Sequence, residues 1–89
     1  MKLLSVGFGN TVAASRILAV ISADAAPTKR MVQSARDGNT VIDATAGRKT
    51  RAVLVMDTGH VVLSALQPET LSARLATDES IMREANHED

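Results

Sequence analysis

Between Thr40 and Leu66 the chain carries three short runs rich in β-branched residues, and these limit the possible folds more than anything else in the sequence. Thr40–Thr45, Thr50–Met56 and Val61–Leu66 each read as a strand, bounded by turn-forming residues. Their order predicts an antiparallel meander. Its first turn holds Gly47-Arg48-Lys49-Thr50-Arg51, and its second is Asp57-Thr58-Gly59-His60. A tight turn projects its side chains away from the sheet, so Arg48, Lys49 and Arg51 form a positive knob that a packed core cannot absorb. Such a knob is either a solubilising turn or a surface for a polyanion. Neutralising phosphates is the sequence-independent part of DNA binding.

The flanking segments complete an α+β pattern. Leu3–Val6 reads as a first strand ending in Gly7-Phe8-Gly9-Asn10. Arg16–Ser22 reads as a second, with Ile17, Ala19 and Ile21 on one face and Leu18 and Val20 on the other. Apolar residues on both faces predict a strand covered on both sides. Asp24 is placed to cap a helix with Pro27 in its first turn, running to Asp37 and ending at Gly38-Asn39. Met31, Val32 and Ala35 form its inner stripe, while Lys29, Gln33 and Arg36 share an outer face. Pro68 followed by Glu69 opens a last helix, anchored by Leu71 and Leu75. The expected fold is a small single α+β domain, an antiparallel sheet of about five strands with two helices.

At 89 residues, with no cysteine and Phe8 as its one aromatic, the chain must build its core from aliphatic side chains without disulfides. Small aliphatic cores often gain stability by oligomerisation. No apolar run approaches the span of a membrane helix, and the N-terminus is too short for a signal peptide, so a cytoplasmic location is expected. The neutral net charge conceals an asymmetry. Residues 1–75 hold nine Lys/Arg against five acids, whereas residues 76–89 hold five acids against Arg83. This divides the chain into a basic domain, 1–76, and an acidic tail, 77–89. Ile81-Met82 could extend the last helix or pack on a partner.

Catalytic and cofactor patterns are weak. Gly7-Phe8-Gly9-Asn10 has two glycines of a dinucleotide fingerprint, but Val12 stands where the third belongs and no helix follows. A tight turn with positive φ, or a loop that a neighbouring subunit approaches closely, is the better reading. Asp57, His60 and Ser64 are the residue types of a hydrolytic triad, yet Ser64 lies about 13 Å from His60 along one strand. His60 and His87, without an acidic cluster between them, do not make a metal site. No catalytic residue, cofactor or metal is assigned.

Single-stranded nucleic acid and RNA-recognition sheets usually need aromatic platforms, which this chain lacks. Duplex DNA needs cations along its backbone with hydroxyls beside them. Arg48, Lys49 and Arg51 supply these with Thr45 and Thr50, and Arg16, Lys29 and Arg30 are candidates to join them. Intersubunit ion pairs, with Asp37 and Asp43 as partners, would serve as well. Tight binding would need several copies acting together.

Beyond single motifs, the wording of the chain resembles one family. Gly7-Phe8-Gly9-Asn10, Arg16-Ile17, Ala26-Pro27-Thr28-Lys29-Arg30, Ala35-Arg36-Asp37 and Ile42-Asp43-Ala44-Thr45 carry the resemblance in the first half. Gly47-Arg48-Lys49-Thr50-Arg51-Ala52-Val53, His60-Val61 and Leu63-Ser64-Ala65-Leu66-Gln67-Pro68-Glu69-Thr70 carry it in the second. Together, over about residues 1–76, they resemble the RemA family of bacterial extracellular-matrix regulatory proteins. The resemblance implies a nucleoid-associated, DNA-binding transcriptional activator of biofilm-matrix and osmotic-stress operons. It implies a LytTR-like fold in a ring-like homo-oligomer that brings double-stranded DNA to a basic outer surface. The family's DNA-contacting residues fall on Arg16, Arg48 and Lys49, with Arg51 close by, and Pro27 matches a structural proline. Lys49 departs from the arginine common in the family. It keeps the point charge but loses the bidentate fork that pairs with a guanine edge.

Two other functions fit the same residues. An oligomeric scaffold would use the cations to pair with acids of neighbouring subunits. A small-ligand sensor would use the Gly7–Asn10 loop.

Overall fold

A computed structural model describes residues 2–76, so the acidic tail, including Ile81, Met82 and His87, lies outside the described residues. In chain order the elements are β1 (Leu3–Gly7), β2 (Asn10–Ala13), a 3-10 turn (Ala14–Arg16), β3 (Ile17–Ser22), α1 (Ala26–Asp37), β4 (Val41–Asp43), β5 (Ala52–Met56) and β6 (Val61–Ser64). Residues 68–76 form a further helix, α2. The α+β class and both helices match the sequence reading.

The sheet arrangement corrects it. Among the described residues the strands number six, in two sheets: a hairpin β1-β2 and a four-stranded sheet of order β3-β5-β6-β4. β3 and β6 each pair antiparallel with β5, but β4 pairs with β6 in parallel, Val41 opposite Val61 and Asp43 opposite Leu63. The meander is therefore absent. The segment between β4 and β5 is a crossover passing the end of β6, not a hairpin turn. The pairing follows from burial: β6 is apolar on both faces and every one of its residues is buried, which suits a central place.

Alternation along β5 and β6 divides the core into two layers. Ala52, Leu54, Met56 and Val62 face one side, where Leu4 and Val6 of β1 and Leu71 of α2 pack against them. Val53, Val61 and Leu63 face the other, beneath Ala35, Met31 and Val32 of α1. Each fully buried Leu or Val in these layers contributes about 1.5–3 kcal/mol relative to exposure. The predicted stripe of α1 and the Leu71–Leu75 anchors of α2 are thus in place, with Leu75 partly buried.

β3 differs from expectation. A bulge between Ile17 and Ala19 shifts its register, so Ile17 and Val20 share the β1 side while Ile21 faces α1. The strand lies at the sheet edge, and Leu18 is 69% exposed rather than covered. The N-terminus of α1 also differs. Ala25 is its N-cap with no side-chain hydrogen bond, and Asp24 instead donates its backbone N–H to Ser22 Oγ (3.3 Å). Pro27 sits in the first turn as expected. At the other end Thr40 N–H donates to Ala35 O (2.9 Å) and Asn39 N–H to Arg36 O (3.2 Å). This is a Schellman closure, with Asn39 at φ 59° taking the left-handed position.

Candidate nucleic-acid interface

The basic segment is shaped by the end of β6. Ala44 N–H donates to Leu63 O (2.9 Å) and Arg51 N–H to Ser64 O (2.8 Å), so the last two residues of one strand hold both feet of the crossover. Arg51 O in turn accepts from Ala23 N–H (3.2 Å). Within the crossover, Arg48 N–H closes a turn on Thr45 O at 2.9 Å. Its central residues, Ala46 (φ 53°) and Gly47 (φ 80°), form the left-handed pair that a type I′ turn requires. Thr45 is buried, and its N–H and hydroxyl both donate to Asp43 Oδ1, at 2.9 and 2.6 Å. The hydroxyl bond and then the N–H bond, helped by the nearby Arg36 charge, hold the Asp43 carboxyl below its ordinary pKa against a small opposing effect of burial. Asp43 is thus engaged within its own turn, and Asp37 accepts from Gln33 Nε2 (3.1 Å).

The crossover turns Arg48, Lys49 and Arg51 outward, and all three are exposed. They line one open depression with Phe8, Ala65 and Leu66. Among the described residues none of the three has a carboxylate within ion-pairing distance. The Arg48 guanidinium lies 5.4 Å from the centre of the Phe8 ring, a cation–π contact worth about 0.5–1 kcal/mol at an exposed site. Phe8 was not read from sequence as a neighbour of the cations. The one available sign was a lone aromatic set between two glycines.

The Gly7–Asn10 loop is the tight turn expected, with Gly7, Phe8 and Gly9 all at positive φ (106°, 53° and 79°). Asn10 Nδ2 donates to Gly7 O (3.1 Å) and Phe8 O (3.3 Å). The loop leads into β2, so it lacks the helix N-terminus that a dinucleotide fingerprint uses to hold phosphate.

The other proposed cations are distributed. Arg16 stands at the opposite end of β5 from the crossover. Ile17 is opposite Met56 and Ser22 opposite Ala52, which puts about 14 Å of strand between the two ends. There Arg16 Nη1 donates to Asp57 Oδ2 at 3.0 Å, an exposed ion pair. Lys29 lines a groove with Arg36, Gln33 and Thr50 over a floor of Val53 and Leu63, on the α1 side of the crossover. Arg30 is exposed on the same helix.

The triad residues are placed apart by their partners. Ser64 is fully buried, donating its hydroxyl to Val6 O (2.8 Å) and accepting from Leu66 N–H (3.1 Å). His60 Nδ1 is 2.8 Å from Thr58 Oγ1, and Asp57 is paired with Arg16. Among the described residues no group of three His, Cys, Asp or Glu could hold a metal ion, and no helix is long and apolar enough to cross a membrane.

Comparison with known proteins gives this architecture its class. Over 84 residues, 94% of each chain, the sequence is 54% identical to Extracellular matrix regulatory protein A of Bacillus subtilis. A regulatory protein of Dictyoglomus turgidum is 63% identical over 75 residues, 84% of this chain and 88% of its own. One from Bacillus cytotoxicus is 56% identical over 84 residues, 94% of this chain and 97% of its own. The class is therefore that of small α+β regulatory proteins. The sequence model described as Extracellular matrix regulatory protein A-like matches residues 3–75, and the chain belongs to this RemA-like family.

Proposed function

We propose that this protein is a homo-oligomeric, duplex-DNA-binding regulator of transcription that grips phosphates through repeated Arg48/Lys49/Arg51 clusters. The observation that carries the reading is the exposure of these three cations in one depression, without carboxylate partners among the described residues. An uncompensated cluster of this kind is what counterion release from a phosphate backbone requires. Thr50 lies between Lys49 and Arg51 as a neighbouring hydroxyl, while Thr45 is spent on Asp43.

Oligomerisation belongs to the same reading. β3 and β4 are both edge strands, and each carries a large exposed apolar residue, Leu18 at 69% and Ile42 at 50%. Open apolar edges favour pairing with further copies. A ring of copies multiplies a modest local contact by effective concentration. Arg16, at the far end of β5, would add a separate contact to the duplex. Lys29 and Arg30 would extend the cationic face from the α1 side.

The LytTR-like likeness, the nucleoid location and activation of matrix or osmotic-stress operons follow the family resemblance. The Bacillus subtilis relative, Extracellular matrix regulatory protein A, supports a link to extracellular matrix.

The test is duplex-DNA binding by fluorescence anisotropy across a salt series, with oligomer mass measured in parallel, for the wild type and Arg48→Ala/Lys49→Ala. A steep negative salt slope that flattens in a variant of unchanged mass supports the reading. Absence of binding at low salt by an assembled wild type overturns it.

A further inference from the structure

Phe8 is the chain's single aromatic residue, and the fold does not use it in either core layer. It is 52% exposed at the tip of the β1-β2 hairpin. Its backbone is left-handed (φ 53°), a conformation that bulky side chains rarely adopt, between two glycines that are also left-handed. Asn10 fastens the loop by donating to the carbonyls of Gly7 and Phe8. The hairpin is thus held in a form that presents a large ring outward, against both the hydrophobic effect and backbone preference. Outliers of this kind concentrate where a molecule meets its ligand.

What the ring is presented beside gives its role. Phe8 shares the depression of Arg48, Lys49 and Arg51, and the Arg48 guanidinium lies over its face. Proteins that bend duplex DNA combine cations in the minor groove with an apolar side chain wedged at a base step. Both parts are here on two rigidly joined elements. Ser64 ties β6 to Val6 two residues before Phe8, and the neighbouring Ser64 carbonyl holds Arg51.

We propose that Phe8 contacts DNA directly, as an apolar wedge that partly unstacks a base step beside the phosphates gripped by Arg48 and its neighbours. This rests on the DNA-binding reading and adds a source of selectivity to it. Pyrimidine–purine steps such as TA unstack most easily, so sites containing them are preferred over stiff A-tracts. The cations supply the salt-dependent grip, and Phe8 supplies discrimination.

The experiment compares the wild type, Phe8→Asn and Phe8→Leu on two duplexes of equal length, one with central TA steps and one with an A-tract. 2-Aminopurine in the TA step reports unstacking. Salt slope and oligomer mass are measured for each protein. Asn tolerates the left-handed conformation, so Phe8→Asn preserves the turn. The expected result is a wild-type preference of about tenfold for the TA duplex with a rise in 2-aminopurine emission. Phe8→Asn abolishes both without changing mass or salt slope, and Phe8→Leu retains most of the preference.

Equal preference in wild type and Phe8→Asn overturns the proposal. So does a Phe8→Leu protein as indifferent as Phe8→Asn, because the ring would then act only by holding Arg48. A fall in oligomer mass in Phe8→Asn reassigns Phe8 to a subunit contact. If the wild type binds neither duplex, the underlying DNA reading fails, and that result is distinct from binding without preference.

Discussion

The two ends of β5 carry similar charges and treat them in opposite ways. At its C-terminal end Arg16 meets Asp57 at 3.0 Å, and His60 is held by Thr58. At its N-terminal end Asp43 is engaged by Thr45, and Arg48, Lys49 and Arg51 face solvent. The difference comes from how each end is built. The Asp57–His60 turn is closed by backbone hydrogen bonds, Met56 N–H to His60 O and Gly59 N–H to Met56 O, and sets its acid beside Arg16. The crossover is closed by backbone hydrogen bonds to Leu63 and Ser64 and by the Asp43–Thr45 pair, which uses its acid internally and leaves the three cations without a carboxylate among the described residues. A loop whose acid is used internally can spend its cations on a partner.

Substitutions can break this contrast. Replacing Arg48 and Lys49 by Ala should weaken DNA binding at least tenfold and lower the magnitude of the salt slope by about two per engaged copy. Arg16→Ala should weaken it by about threefold or less, because Asp57 already offsets that charge. Comparable losses from the two would erase the distinction between the ends.

Ser64→Ala tests the side-chain tie between β6 and β1 that brings Phe8 to the cations. It leaves Val6 O and Leu66 N–H without their buried partner, and should cost about 2 kcal/mol in urea unfolding. Ala46→Gly should act oppositely, stabilising by about 1 kcal/mol in the same measurement, because glycine accepts φ 53° without a Cβ clash. The smallest effect concerns pH. Asp43 has a folded pKa below its unfolded value, so its contribution is present above the unfolded pKa and fades as pH falls through the folded one. Thr45→Val removes the hydroxyl bond that contributes most to this. Its stability loss relative to wild type should therefore shrink as unfolding is followed from neutral pH down through the carboxylate range.

The sequence made the elements legible and left their pairing open. Met31, Val32 and Ala35 marked the inner face of α1, and Leu71 and Leu75 that of α2, because helical spacing is a local signal. The parallel pairing of β4 with β6 is not local. Nothing in Val41–Asp43 distinguishes a neighbour eleven residues on from one twenty residues on. The bulge at Leu18 escaped for the same reason, since an apolar run alternates equally well in either register. β2 was missed because Asn10–Ala13 is short and polar at its start. At the candidate site the three cations were plain from their clustering, whereas their distance from Arg16 depended on strand direction. Phe8 reached them through the Ser64–Val6 hydrogen bond, which spans 58 positions of sequence.

The crossover also ties the active shape of this protein to the order of its synthesis. Both feet of the basic loop rest on carbonyls of Leu63 and Ser64, the end of the last strand among the described residues. Until that strand has left the ribosome, β4 has no neighbour and residues 44–51 have nothing to close on. A nascent chain halted before Val61 carries all three cations in sequence but not in register. The surface comes into being only when the translation of β6 is complete, so a truncated product would lack an organised basic face.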